Sequence, residues 1–136
     1  MQRPSVRLVL AVSLDGRLAP PTGGAAQLGG SGDRQVLEQA LAWSDAVLIG
    51  AGTLRAHRCT CLIHEQQLLA QRKQDGRPLQ PAAFVVSRHP DFCLDWPFFQ
   101  QALERHLLTP DLVSAEGFSA THRLQPSWDS TLVELA

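Results

Sequence analysis

An apolar run over residues 6–14, interrupted by Arg7 and Ser13, ends abruptly at Asp15 and Gly16. Unbroken runs of Val and Leu bounded by Gly and Pro are typical of buried strands, although a short buried helical segment gives the same pattern. Gly16 favours a strand followed by a turn. We therefore predict a first strand that delivers Ser13 and Asp15 to a ligand-binding crevice, although an Asp-Gly pair alone is more often a plain turn.

Further along the chain, helical patterns alternate with short apolar runs. Apolar spacing of three and four residues predicts a helix from a cap at Ser31 or Asp33 to about Trp43, and a mostly exposed helix over residues 65–74. Brief apolar runs predict strands over residues 46–49, 82–86 and 103–108. This alternation indicates an α/β fold with right-handed crossovers and a mostly parallel sheet.

Three other segments have distinct patterns. Residues 20–30 hold four Gly and two Pro, which predicts a long loop. Residues 111–136 are predicted to be an irregular tail, with a last helix starting near Asp129. An apolar cluster is predicted to pack against the sheet and consists of Phe92, Leu94, Trp96, Phe98 and Phe99.

Composition narrows the possible partners. The 136 residues suffice for one domain with a buried core, although they are few for a doubly wound enzyme with its own cofactor site. With 12 basic and 13 acidic residues, the net charge of −1 offers no electrostatic case for nucleic acid or an acidic membrane. The apolar stretch is too short for a secretory signal or a bilayer span. Three cysteines cannot all pair, so we expect reduced thiols and a cytoplasmic location.

Candidate binding groups follow two of the predicted strands. Gly50, Gly52 and Thr53 follow the strand over residues 46–49, where glycines let a ligand approach the backbone and a helix start attracts phosphate. Ser87 and Arg88 follow the strand over residues 82–86, and a guanidinium can donate two parallel hydrogen bonds to a phosphate. Neither segment alone identifies a phosphate site, because Ser87 and Arg88 fit an exposed polar loop without a ligand equally well.

Other cofactor and metal patterns are missing. Neither the G-x-G-x-x-G fingerprint nor the P-loop pattern occurs in the chain. His57, Cys59, Cys61 and His64 lie within eight residues, whereas a structural zinc site draws its ligands from two spaced pairs. We therefore expect ordinary thiols in this segment and no metal site.

Three blocks, residues 11–17, 44–56 and 85–88, form a combination that is more specific than any block alone. In this order and spacing they resemble the reductase domain of bacterial riboflavin biosynthesis. The resemblance covers residues 1–110 of a single domain over residues 1–136. It implies the three-layer dihydrofolate-reductase-like fold, NADPH as cofactor, and reduction of the ribose of a ribosylamino-pyrimidine phosphate to ribitol.

The resemblance also implies residue roles. Ala11 faces the nicotinamide, and Ser13 and Asp15 belong to the active-site Ser-Leu-Asp-Gly motif, with Asp15 orienting substrate hydroxyls or relaying the proton. The cofactor's phosphates are held by Gly50, Gly52 and Thr53, and its 2′-phosphate by Ser87 and Arg88.

The chain departs from the family at several places. Leu41 stands where two-domain relatives carry a substrate-contacting arginine, and His57 where an acidic residue often follows the Gly-Thr turn. A Glu-Gly-Gly segment and the closing strands are missing, which implies a fold incomplete at the C-terminus and a sheet edge that a homodimer covers. Two alternatives stay open: a catalytically impaired homologue that binds a nucleotide or a protein partner, and a related enzyme for another carbonyl substrate.

Overall fold

Helices and short strands alternate along the chain. The structure is a computed structural model that describes residues 3–24, 28–111 and 113–136. A 3₁₀ turn over Pro97–Gln100 precedes the third strand. In chain order, the regular elements of the described residues are α1 (Ser31–Trp43), β1 (Ala46–Gly50), α2 (Ala51–His57), α3 (Gln66–Gln74), β2 (Ala82–Val86), β3 (Arg105–Thr109), β4 (Ala120–Arg123) and α4 (Trp128–Leu135).

The four strands form one parallel sheet in the order β1-β2-β3-β4. Gly50 lies opposite Val86, and Val86 lies opposite Leu108, so these strands end at a common edge. Parallel neighbours need long crossovers, and α2 and α3 supply the one between β1 and β2. The predicted α/β class, the parallel sheet and the three later strands are therefore confirmed.

The strand predicted over residues 6–14 is not formed. Residues 3–24 contain no helix or strand, and several apolar side chains of the segment are exposed, with Leu8 at 79% and Leu10 at 56%. A strand requires a neighbour that pairs with its amides and carbonyls. Among the described residues no strand lies on the outer side of β1. The segment does not pair with the open edge of β1 either, so the prediction was wrong: apolar composition favours a strand, but only pairing between backbone groups forms one.

A cluster of buried hydrophobic side chains lies on one face of the sheet. Ala83 and Val85 of β2 are fully buried there, since alternate residues of a strand face the same side. Leu54 of α2, Phe98 and Leu107 complete this buried cluster. The aromatic side chains predicted to pack against the sheet do so, and the members in contact with the core are Phe92, Trp96, Phe98 and Phe99.

Some element ends differ from the sequence predictions. The residue before α1 is Gly30, which has no side chain to cap the helix, so Ser31 is the first helical residue and neither it nor Asp33 is the cap. The last helix begins at Trp128 and is capped by Ser127, whose hydroxyl accepts the Ser130 amide. None of the described helices has the length and apolar character needed to cross a bilayer.

Two segments were predicted to be irregular, and the structure agrees with the first but not with the second. Residues 20–24 and 28–30 lack helix and strand, as expected for the Gly/Pro-rich loop, and residues 25–27 lie outside the described residues. The segment over residues 111–136 contains β4 as well as the last helix. The four residues of β4 include no apolar run, and pairing with β3 is what makes them a strand.

Candidate functional site

The carboxyl ends of β1 and β2 bring two predicted binding segments together. Gly50 is the last residue of β1 and is the register partner of Val86, the last residue of β2. The segment over residues 50–53 and the Ser87-Arg88 pair therefore leave the sheet from neighbouring points of one edge. This is the edge at which open α/β sheets bind ligands.

The segment over residues 50–53 presents its backbone to solvent. A Cβ atom placed on Gly50 or Gly52 would meet no heavy atom within 4 Å. Gly50, Gly52 and Thr53 are exposed, and α2 begins directly after Gly50. The first amides of a helix have no intrahelical partner, so this segment offers donors and one hydroxyl to an approaching oxygen ligand.

Ser87 and Arg88 have different local roles. Ser87 is buried, and its hydroxyl donates to the His89 carbonyl at 2.6 Å and accepts from the His89 amide at 3.1 Å. That hydroxyl can donate to a ligand only if it gives up its bond to the His89 carbonyl. Arg88 is exposed and forms no ion pair within the described residues, so its guanidinium is available to an anion.

A second guanidinium that the sequence analysis missed reaches the loop after β2. Arg55 of α2 donates from Nη2 to the His89 carbonyl and to Asp91 Oδ1, each at 3.3 Å, and its Cζ lies 5.0 Å from the Phe92 ring centroid. The contact joins residues 34 positions apart, which no local pattern reveals. The only signal was a basic residue two positions after Thr53.

Ser13 and Asp15 lie together in a turn of the N-terminal segment. The Ser13 hydroxyl donates to the Asp15 carboxylate and accepts from the Arg17 amide at 2.9 Å, and Arg17 Nε lies 3.7 Å from Asp15 Oδ2. Gly16 has a φ of 80°, so the predicted turn is present. Asp15 is exposed, as is Ala11 in the same segment.

The structure does not join this turn to the sheet edge by polar contacts. Each hydrogen bond and ion pair of Ser13 and Asp15 within the described residues stays inside the turn formed with Arg17. Within the described residues, no hydrogen bond or ion pair therefore connects the Ser13 and Asp15 side chains with the sheet edge, and their membership of one site stays a prediction.

The segment over residues 57–64 leads from the end of α2 toward α3, and its two histidines and two cysteines are exposed or half-buried. Cys59, Cys61 and Cys93 are free thiols, of which Cys61 and Cys93 are exposed and Cys59 is half-buried. Within the described ranges, no three His, Cys, Asp or Glu side chains are grouped so as to hold a metal ion.

An apolar depression of about 450 Å³ adjoins the sheet edge. Its floor is formed by Leu48, Ile49, Gly50 and Val86, and α4 contributes Trp128 and Leu132. The last helix therefore borders the candidate binding edge, with flat and branched apolar side chains beside the exposed backbone of Gly50.

Comparison with known proteins establishes the family. The family model described as RibD C-terminal domain matches residues 4–128. The chain belongs to the RibD C-terminal domain family. The match includes both groups of candidate site residues, those of the N-terminal turn and those of the sheet edge.

One curated relative of this RibD-family chain is the 2,5-diamino-6-ribosylamino-4(3H)-pyrimidinone 5′-phosphate reductase of Archaeoglobus fulgidus. It is 29% identical over 84 residues, which are 62% of this chain and 38% of that protein. The chain therefore spans little more than a third of the curated relative's length.

Two solved structures share the fold. The Thermotoga maritima diaminohydroxyphosphoribosylaminopyrimidine deaminase/5-amino-6-(5-phosphoribosylamino)uracil reductase superposes with a TM-score of 0.75 at 19% identity, covering 98% of this chain and 36% of that one. A pyrimidine reductase-like protein of Corynebacterium diphtheriae gives a TM-score of 0.63 at 16% identity, covering 93% and 56%. The dihydrofolate-reductase-like fold implied by the sequence is confirmed.

Proposed function

We propose that this domain binds NADPH at the carboxyl ends of β1 and β2 and reduces a ribosylamino-pyrimidine phosphate in riboflavin biosynthesis. The observation that carries the proposal is the register of Gly50 with Val86, which sets residues 50–53 beside Ser87 and Arg88. The names of the Archaeoglobus and Thermotoga relatives support the substrate class. NADPH, when bound, supplies the hydride for the carbonyl carbon or imine of the opened sugar.

The residues at this edge fit a phosphorylated dinucleotide. The exposed backbone of Gly50 and Gly52 allows phosphate oxygens to approach amide donors, and the Thr53 hydroxyl adds one more. Arg88 is an unpaired exposed cation within the described residues and suits the 2′-phosphate. Ser87 supports this site through its turn with His89, and Arg55 adds positive charge to the same loop.

The apolar depression supplies the complementary part of the site. Trp128 and Leu132 line it together with Gly50 and Val86, and a flat heterocycle buries more apolar surface there than a phosphate does. We assign the phosphates to the segment over residues 50–53 and the 87–88 loop, and a heterocyclic ring to the depression.

Ala11, Ser13 and Asp15 complete the proposal on the substrate side. Ala11 faces the nicotinamide, and the hydrogen bond from Ser13 holds the Asp15 carboxylate in one orientation. Asp15 then orients the substrate hydroxyls or relays a proton to the oxygen or nitrogen formed on reduction. Positioning of this kind supplies much of the rate when a cofactor carries the difficult chemistry.

A second candidate function is nucleotide binding without turnover. It is favoured by the contacts of the Ser13–Asp15 turn, whose side chains form no hydrogen bond or ion pair with the sheet edge within the described residues. Leu41 adds to this alternative, because it is buried at the position where two-domain relatives carry a substrate-contacting arginine.

One experiment separates these functions. NADPH is titrated into the chain while its fluorescence is followed, and NADPH oxidation is then measured with 5-amino-6-(5-phosphoribosylamino)uracil and with a panel of unrelated aldehydes. Saturable binding with oxidation on the pyrimidine substrate supports the reductase. Binding without oxidation supports the second candidate, oxidation with the aldehydes alone supports an enzyme for another carbonyl, and absence of binding overturns the proposal.

We also propose a cytoplasmic homodimer. β1 is an edge strand with Leu48 46% exposed, and the N-terminal segment exposes further apolar side chains, so a second copy would remove apolar surface from water. Free thiols at Cys59, Cys61 and Cys93 are typical of a reducing compartment. Sedimentation velocity tests the dimer, and a concentration-independent monomer would contradict it.

A further inference from the structure

Two histidines meet on the sheet face opposite the core. His106 of β3 and His122 of β4 approach with 2.9 Å between Nδ1 of the first and Nε2 of the second. The register places His122 beside Leu108, which lies two residues after His106 on β3. Alternate residues of a strand face the same side, so both imidazoles lie on the same face of the sheet. The His106 ring also stacks on Phe84 of β2, with ring centroids 4.4 Å apart and planes 5° apart.

The proton positions in this pair are determined by Glu104. Its Oε1 lies 2.9 Å from His106 Nε2, and a carboxylate only accepts, so this nitrogen carries a hydrogen. When both rings are neutral, His106 Nδ1 therefore accepts and His122 Nε2 donates. One added proton preserves the contact, because His106 then donates from Nδ1 and His122 accepts as the other tautomer.

A second proton destroys the contact. Both facing nitrogens then carry hydrogens at a separation of 2.9 Å, and two positive charges oppose each other across a half-buried gap. The pair is thus stable with no added proton or one, and unstable with two. Such coupled groups lose their protons in two separated steps that belong to the pair as a whole.

The groups around the histidine pair determine whether stability rises or falls as the pH is lowered. Burial and the neighbouring His106 lower the pKa of His122, against the opposing effect of Glu134 on α4. Glu104 faces His106 from the start of β3, and on β2 the uncharged Phe84 completes the contact. Because this pKa is lower in the folded protein, the unfolded chain binds more protons below about pH 6.5, and stability falls as pH falls through that range.

A residue just after β4 is hydrogen-bonded to α4, the helix beside the depression. The amide of Gln125, just after β4, donates to Thr131 Oγ1 of α4 at 3.0 Å. Gln125 Nε2 also donates to the Glu134 carboxylate of the same helix. These bonds link β4 and α4, and α4 carries Trp128 and Leu132 to the depression beside Gly50.

We propose that His106 and His122 form a proton-operated latch, which holds β4 and α4 against the sheet near neutral pH and releases them when both rings are protonated. The latch depends on the fold alone and does not require the proposed reductase activity. Its release withdraws Trp128 and Leu132 from the depression.

The three tryptophans provide the test. Their indole ¹⁵N–¹H signals are followed by NMR from pH 8 to pH 4 in the wild-type chain. We expect the Trp128 signal to stay in place when the pair takes up its first proton and to move when it takes up the second, below about pH 6.5, while the signal of Trp96, in contact with the core, does not move. A Trp128 signal that does not move, or that moves only together with Trp96 as the whole chain unfolds, would overturn the latch.

Variants identify the proton acceptors. His122→Gln keeps a donor toward His106 but cannot be protonated, so we expect the acid shift of Trp128 to be lost. His57→Gln changes an exposed histidine outside the pair and should behave as wild type. An unchanged Trp128 shift in His122→Gln would contradict the proposal.

A measurement on the wild-type chain covers the case in which His122→Gln does not fold. The imidazole Cε1–H signal of His122 should titrate in two separated steps, because its pKa is lowered by the neighbouring His106 as well as by burial. A single titration step for His122 would refute the coupling and the latch.

Discussion

The guanidinium of Arg72 on α3 donates to the carbonyl oxygen of Ser44 at 2.8 Å, although Ser44 lies 28 residues earlier in the chain. The same side chain donates to the Ala42 carbonyl at 2.9 Å and to the Pro78 carbonyl at 2.7 Å. The last carbonyls of a helix have no intrahelical partner, so Arg72 caps α1 from outside. Because β1 starts two residues after Ser44, this contact also positions the strand that ends at Gly50.

We expect Arg72→Met to lower the free energy of unfolding by about 3 kcal/mol, because buried carbonyl groups lose a charged donor. Arg72 is 2% exposed, and its pKa is lowered chiefly by burial, so its hydrogen bonds lie away from bulk solvent. Urea denaturation measures the change. Lys73→Met alters the exposed neighbour on the same helix and should change stability by less than about 0.5 kcal/mol. Equal effects of the two substitutions would contradict the capping role.

Glu38 on α1 gives a pH-dependent prediction. Its carboxylate accepts the backbone amides of Glu65 and His64, each at 2.8 Å, and these bonds lower its pKa below the ordinary value of 4.5. The contribution of Glu38 to stability is therefore present above pH 4.5 and lost as the pH falls through its lowered pKa. Glu38→Gln should cost about 2 kcal/mol at pH 7.

Urea denaturation at a series of pH values checks this expectation. The difference in unfolding free energy between wild type and Glu38→Gln should shrink as the pH falls below 4.5. Glu116→Gln changes an exposed carboxylate and should show no such trend. A stability difference that stays constant across the range would exclude the ionised carboxylate as its source.

Substitution of Gly117 tests how tightly the side chains of Phe99 and Leu94 pack around it. Its φ is 86°, and an added Cβ would lie 2.7 Å from Phe99 Cδ1 and 2.9 Å from Leu94 Cδ2. Gly117→Ala should therefore destabilise the fold by about 1 to 3 kcal/mol, through backbone strain and overpacking together. Gly32→Ala is the matched control, because this helical glycine has open space and alanine favours helix. Thermal denaturation should show the first variant melting lower than wild type and the second no lower.

The sequence predicted those parts of the fold that depend on local patterns. The strands β1, β2 and β3 were found because each is a short apolar run between turn residues, and the segment over residues 50–53 because it matches a family block. The run over residues 6–14 failed because strand formation depends on a partner strand, which composition does not encode. Polar contacts between distant residues, such as Arg55 with His89, leave no local pattern at all.

Only part of the candidate site could be predicted, because some of its contacts depend on the folded geometry and leave no local sequence pattern. Glycines and a hydroxyl after β1 are visible in the sequence, and so is Arg88 after β2. The two hydrogen bonds between the Ser87 hydroxyl and His89 are not visible in the sequence, because they depend on the conformation of the loop after β2. The pairing of His106 with His122 likewise depends on the register of β4, a strand without an apolar run.

Arg88 provides the sharpest test of the cofactor assignment. Its exposed guanidinium has no ionic partner within the described residues, and only NADPH carries a 2′-phosphate for it to bind. A charge-assisted hydrogen bond contributes about 1.5 to 3 kcal/mol, so Arg88→Ala should weaken NADPH binding by about tenfold to a hundredfold and NADH binding by far less. Fluorescence titration of both cofactors gives the two dissociation constants.

Two further variants complete the NADPH test. Arg123→Ala removes an exposed arginine from the end of β4 and should leave both dissociation constants unchanged. Thr53→Ala should weaken NADPH and NADH by the same factor, because the phosphates assigned to Thr53 are common to both cofactors. If Arg88→Ala weakens the two cofactors equally, its guanidinium does not bind the 2′-phosphate, and the proposed role passes to another cation, of which Arg55 beside the same loop is the first to substitute.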